Sequence, residues 1–246
     1  MASITIWALE SDYDAKAVKC LAGKLADHLG LDDISIRAVG SSAKPRKPKG
    51  NKDPADALKR MVELYLKEDK CVIFVIDEDG PMASHQRRQE QNSLVNQVGR
   101  VMADNRFSGS VHLAWAVREM EAWLLIDCTG IICYFASKRK PYRDNCREKI
   151  RGKADFSRLA NKFQSGNTEF IVEAEAGGKG VKEYLTNFSR EIFRMINPKV
   201  KHPPKDKLYK EKFSPEIAKF IQINSETLKR NNSLRRLRRL IAQCES

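Results

Sequence analysis

Cys71-Val-Ile-Phe-Val-Ile76, followed at once by Asp77-Glu-Asp79-Gly80-Pro81, decides the fold class. Six consecutive apolar residues suit a strand covered on both faces, the usual state of a strand inside a parallel sheet. The Gly-Pro pair breaks the chain directly afterwards, so the acids fall at the strand's carboxyl end.

The same pattern repeats on either side of this stretch. Ser3 to Leu9 reads as a strand, and Asp12 is placed to cap the helix after it. Ala15, Val18, Leu21, Ala22, Leu25 and Leu29 recur at helical spacing, and Gly30 supplies the stop. Ile34 to Val39 reads as a second strand, and Gly40 to Lys52 as a polar loop. Pro54 opens a helix carrying Leu58, Met61, Val62 and Tyr65. Beyond the central strand, Leu94, Val95, Val98, Val101 and Met102 mark a helix, and Val111 to Val117 another strand. Strands alternating with helices predict an α/β fold, a mostly parallel Rossmann-like sheet with helices on both faces.

After about residue 128 the alternation fades. Residues 129–155 read as a basic stretch, 156–196 as helical around Gly177-Gly-Lys-Gly180, and 197–212 as a Pro/Lys-rich connector. Pro215–Ile223 and Ser233–Cys244 are amphipathic. The expected organisation is an α/β domain over 1–128 and a basic, mainly helical C-terminal extension over 129–246, packed on it. Gly177-Gly-Lys-Gly180 lacks the spacing of a phosphate-binding P-loop and reads as a helix start.

The chain has 246 residues, 41% hydrophobic and 31% charged, which excludes a disordered polymer. A net charge of +13 favours a polyanionic partner, because neutralising phosphates releases condensed counterions. No apolar run approaches the roughly 20 residues of a membrane helix. Met1-Ala-Ser lacks a basic region followed by an apolar one, so neither a secretory leader nor a membrane partner is expected, and the location expected is cytoplasmic. The six cysteines (20, 71, 128, 133, 146 and 244) are scattered without a CxxC pair, which predicts reduced, packed thiols rather than disulfides or zinc. The histidines (28, 85, 112 and 202) form no HxH or HExxH pattern.

Acids recur at the carboxyl ends of three predicted strands, where open α/β sheets place their ligands. They are Glu10 with Asp14, Asp77 with Asp79, and Glu119 with Glu121. Carboxylate oxygens are what the hard Mg²⁺ ion takes, and i and i+2 in an extended segment can address one ion. On a helix, Glu119 and Glu121 would lie about 200° apart, so only one could face the site. Glu121 is the choice, beside the apolar Trp123, Leu124 and Leu125, with Glu119 left open.

Basic residues supply the second half of the pattern. Lys44, Arg46, Lys47 and Lys49 fill the first loop, which a right-handed parallel arrangement would bring near the acids. Residues 138–153 carry eight Lys and Arg, among them Arg139, Lys140 and Arg143, with Tyr134, Phe135 and Tyr142 nearby as candidate stacking surfaces for unpaired bases. Lys205 and Lys212 are further phosphate contacts, and Arg235, Arg236, Arg238 and Arg239 oppose the leucine stripe of the last helix.

The order Glu10, Asp14, then Asp77-Xaa-Asp79, each after an apolar strand, resembles the Toprim signature shared by topoisomerases, bacterial primases and OLD-type nucleases. Glu119-Met-Glu121-Ala-Trp-Leu-Leu125, with Pro204-Lys205 and Lys212, resembles a family of small Toprim-like proteins encoded in mobile and anti-phage defence loci. The resemblance covers residues 3–126 and, loosely, the tail. It implies Glu10 as general acid/base or metal ligand, Asp77 and Asp79 as metal ligands, and Glu121 as an additional catalytic acid; Asp14, four residues after Glu10, is a further candidate metal ligand. Many relatives carry Gly after the first Glu, for tight backbone approach, where this chain has Ser11.

Together these readings predict a Mg²⁺- (or Mn²⁺-) dependent nuclease acting on DNA or RNA, an effector working with a partner protein such as an ATPase-type sensor. Self-association into a homo-oligomer is left open. The alternative is a basic, non-catalytic subunit that bridges a partner protein to nucleic acid, its acids serving as a structural cluster. Topoisomerase-like strand passage would need a catalytic tyrosine domain for which the chain is too short.

Overall fold

The structure, a computed structural model, describes residues 2–43, 53–78, 89–171 and 180–245. Four strands, β1 (Ala2–Ala8), β2 (Ile34–Val39), β3 (Cys71–Asp77) and β4 (Val111–Ala116), form one all-parallel sheet in the order β2-β1-β3-β4. The architecture is α/β and Rossmann-like. The central strands are the apolar ones: Ile4, Ile6, Trp7, Val72, Ile73 and Phe74 are fully buried. The edge strands Ile-Ser-Ile-Arg-Ala-Val and Val-His-Leu-Ala-Trp-Ala are less buried and carry polar residues.

Helix α1 (Asp12–Leu29) starts on Ser11, whose extended backbone lets its hydroxyl accept from the N–H groups of Tyr13 and Asp14. Sequence reading gave the cap to Asp12; Asp12 is instead the first helical residue, and its carboxylate is used elsewhere. The helix stops at Gly30, in the left-handed region, whose N–H reaches back to the last turn. Helix α2 (Pro54–Tyr65) is capped by Asp53 and α3 (Leu94–Met102) by Ser93. Leu58, Val62, Val98, Val101 and Phe107 pack with Trp7, Leu9, Val72, Phe74 and Ile76 on one face of the sheet. Strand alternation turns Ile4, Ile6, Ile73 and Val75 to the opposite face, where α1 lies along β1 and β2. Among the described residues, no helix is long and apolar enough to cross a membrane.

The chain divides into two compact units, 1–119 with 233–246, and 120–232. The boundary differs from the expected 128/129 at both ends, for a packing reason. Met120–Ile126 is a 3-10 segment with all seven residues buried, so it belongs to the helical core that follows. Helix α10, the last, returns to the first unit. Its Cys244 is disulfide-bonded to Cys71 at the start of β3 (Cα–Cα 5.8 Å), and Lys70 pairs with Glu245.

The second unit is built around α4 (Cys128–Ala136), eight of whose nine residues are buried. The helices α5 (Cys146–Arg151), α6 (Ala154–Phe163), α7 (Gly180–Ile196) and α8 (Ser214–Phe220) all pack on it. The short α9 (Ser225–Leu228) leads into α10 (Asn232–Glu245). Buried Asp127 caps α4 by accepting from Gly130 N–H, and accepts from Gln222 N–H at 2.7 Å and from the Arg147 guanidinium. A second disulfide joins Cys133 to Cys146. The expectation of reduced thiols is therefore corrected for four of the six cysteines. The partners of the first pair lie 173 residues apart, and only the return of α10 to the sheet brings them together.

Candidate functional site

In the order β2-β1-β3-β4 the chain leaves β1 toward one edge of the sheet and β3 toward the other. The crevice between the carboxyl ends of β1 and β3 is thus the topological switch point, where open α/β sheets take their ligands. Two of the predicted acids stand there. Glu10 lies two residues past the end of β1, and Asp77 closes β3. The Glu10 carboxylate accepts a hydrogen bond from the Asp77 backbone N–H at 2.7 Å, while Leu9 N–H still pairs with the Val75 carbonyl. Both side chains are half-buried.

Asp14 follows in the first turn of α1 and is only 8% exposed. Ser11, where many Toprim proteins have glycine, sits at φ −146° and ψ 143°, an ordinary extended conformation, so the backbone here needs no glycine. Asp79 lies outside the described residues. Oxygen donors of this kind suit Mg²⁺ chemically. The described carboxylates alone are not a group whose ligand atoms converge within 4.8 Å.

The end of β2 is drawn to the same rim. Asp12 Oδ1 accepts from the Ser42 N–H at 2.9 Å and the Ser41 hydroxyl at 3.4 Å. The Ser42 N–H holds the Asp12 carboxyl below its usual range. Trp7 Nε1 donates to the Gly40 carbonyl. The approach is so close that a Cβ on Gly40 would lie 2.1 Å from Asp12 Oδ1 and 2.8 Å from its Cα. The base of the first basic loop is therefore docked two residues from Glu10. Lys44, Arg46, Lys47 and Lys49 themselves lie outside the described residues.

Glu121 belongs to the second unit, Glu10, Asp14, Asp77 and Glu119 to the first. Glu121 is 0% exposed, and its Oε1 accepts from the Tyr209 hydroxyl at 3.1 Å with Lys182 Nζ at 3.7 Å. Tyr209 in turn hydrogen-bonds the Ser214 hydroxyl at 2.7 Å. Its surroundings are an interior polar network, and Trp123, Leu124 and Leu125 are buried beside it as expected.

Arg139, Lys140 and Arg143 are exposed around the 3-10 turn Lys140–Tyr142, and Lys205 and Lys212 are exposed on later turns. The stacking surface expected next to them is corrected. Tyr134 and Phe135 are core residues of α4, packed edge to face at 4.9 Å, with Lys138 over the Tyr134 ring. Tyr142 is half-buried against Phe156. On α10, Leu234, Leu237 and Ile241 are buried, and Arg235, Arg236 and Arg239 are exposed.

Two acids that sequence reading passed over are also fixed by structure. Asp127 anchors the second unit. Asp69, buried just before β3, accepts from the hydroxyls of Ser3 and Thr5, both at 2.5 Å. The only signal for Asp69 is its place two residues ahead of an apolar strand, which any turn acid shares. No family model, curated protein or solved structure matches this chain.

Proposed function

We propose that this chain is a metal-dependent nuclease of the cytoplasm, hydrolysing phosphodiester bonds of DNA or RNA at the carboxyl edge of its sheet. The observation that carries the reading is the pair Glu10 and Asp77, half-buried and joined at the switch point of a parallel sheet. Glu10, Asp14, Asp77 and Asp79 are the residues that would hold Mg²⁺ or Mn²⁺. Such an ion, when bound, polarises a phosphate and makes a water more acidic.

The chain's own groups divide the remaining work. The Asp77 N–H orients the Glu10 carboxylate, leaving that side chain partly open to solvent as a proton acceptor for an attacking water. The first basic loop starts from the same rim, where Ser42 N–H donates to Asp12, and Lys44, Arg46, Lys47 and Lys49, which follow in sequence, would contact phosphates. Arg139, Lys140, Arg143, Lys205 and Lys212 add exposed positive charge. By its resemblance to defence-locus Toprim proteins, the chain would act with a partner such as an ATPase sensor.

The test is cleavage of DNA, total RNA and tRNA in Mg²⁺ or EDTA, with and without the product of a neighbouring gene. Glu10→Gln and Asp77→Asn should each lower Mg²⁺-dependent cleavage by about 10²- to 10⁴-fold while nucleic-acid binding persists. Undiminished cleavage by both variants would sink the proposal. One observation favours the second reading, a non-catalytic bridging subunit: the Glu10 carboxylate already serves as a clamp on the β3 backbone. Steeply salt-dependent binding with no turnover in either metal would establish it.

A further inference from the structure

The opposite end of the sheet gathers a different set of donors. Cys71 opens β3, and His112 is the second residue of the neighbouring β4. In the register Ile73 faces His112, and Cys71 lies two residues before Ile73, so both side chains emerge on the same face. Cys244 reaches that face from α10. One ligand atom from each of Cys71, His112 and Cys244 lies within 4.8 Å of the other two. The two sulfurs are bonded to each other in the disulfide; after reduction they would part to about 3.8 Å, the separation of two thiolates around a tetrahedral zinc ion.

The histidine is prepared for such a role. Its ring bonds the Gly109 backbone, and Nε2 is buried without a hydrogen-bond partner. The bond to Gly109 is therefore made by Nδ1, which fixes the tautomer whose Nε2 lone pair is available to a metal.

We infer that, in the reduced chain, Cys71, Cys244 and His112 form a zinc-binding latch that fastens α10 to the sheet. On binding, each thiol releases its proton to solvent, the two thiolates and the Nε2 lone pair donate to the ion, and no electrons change hands. Three protein donors leave the fourth tetrahedral position to water. Sulfur and imidazole select Zn²⁺ over Mg²⁺. In the disulfide form the same sulfurs are bonded to each other, so metal and disulfide are alternative closures of one latch. Cys71 and Asp77 are six residues apart on β3, about 20 Å, so the latch stands or falls independently of the nuclease reading.

The experiment uses the full chain and Co²⁺ as a spectroscopic probe. A water-soluble phosphine reduces the disulfide, taking up the oxygen of one water and leaving two thiols, and is then removed under nitrogen. Reduced protein should bind one Co²⁺ per chain, with thiolate-to-cobalt charge-transfer absorption and the visible bands of a tetrahedral ion. One equivalent of Zn²⁺ should bleach both. Unreduced protein should show neither. His112→Gln, which leaves both cysteines in place, should weaken binding by about tenfold or more and move the visible bands. Cys244→Ser should halve the charge-transfer intensity or abolish it, and Cys133→Ser should change nothing. Circular dichroism confirms that each variant is folded. No thiolate-cobalt absorption in reduced protein overturns the inference. So does a His112→Gln spectrum identical to the parent's, or binding that depends on Cys133 rather than Cys71 and Cys244.

Discussion

The two ends of β3 carry the same raw material, acids beside a buried apolar strand, and put it to opposite uses. At the amino end, Asp69 is almost wholly enclosed and both of its oxygens are taken by Ser3 and Thr5. At the carboxyl end, Glu10 and Asp77 are half-buried, and the Glu10 carboxylate accepts from the Asp77 backbone N–H. A carboxylate whose acceptors are filled inside the protein is structural, because freeing it leaves buried hydroxyls unpaired. One that keeps a face toward solvent can still meet a cation or a proton. The donors added at each end follow the same division: oxygen at the carboxyl end, sulfur and imidazole at the amino end.

Three substitutions or conditions press on this contrast. The largest effect is expected from Gly40→Ala at the carboxyl end. The new methyl meets the Asp12 backbone, which cannot rotate away, so stability should fall by about 3 kcal/mol in a urea titration. A neutral result would mean that the base of the basic loop is not held against α1. Next is Asp69→Ala, which strands the buried Thr5 hydroxyl and should cost about 2 kcal/mol. A loss of only a few tenths would erase the distinction between the two ends.

The smallest effect is a pH dependence at the amino end. The folded pKa of His112 is depressed, so its contribution is fully present above the ordinary value of about 6.5 and is lost as pH falls through the folded value. Thermal melts followed from neutral to about pH 5 should show a decline that His112→Gln flattens. An equal decline in both proteins would assign it to other groups.

The sheet was legible in sequence because its signals are local. Cys71–Ile76 is apolar throughout, Ala15 to Leu25 keeps helical spacing, and Gly30 and Pro54 punctuate. The neighbouring of Glu10 and Asp77 was legible too, since adjacent parallel strands end together. What escaped depends on contacts that no local pattern encodes. Asp12 and Ser11 exchange the capping role because Ser42, thirty residues on, claims the Asp12 carboxylate. The Lys and Arg after residue 137 make this region read as a solvated surface, whereas the apolar Cys128–Ala136 just before them is a buried helix, and Tyr134 and Phe135 belong to its core. Glu121 reads as a site acid from its position after β4; the Tyr209 and Lys182 that meet it come from 88 and 61 residues away, beyond the reach of any local pattern.

The division of the chain into 1–119 with 233–246, around 120–232, also fixes an order of events at the ribosome. Residues 233–245 emerge only after the whole of the second unit has been made. The unit that is started first is therefore finished last, and the inserted one can complete its own core earlier. During that interval Cys71 and His112 wait on a nascent sheet without Cys244. A chain cut short before residue 233 would lose the closing piece of its amino-terminal unit, and the damage would surface far in sequence from the cut.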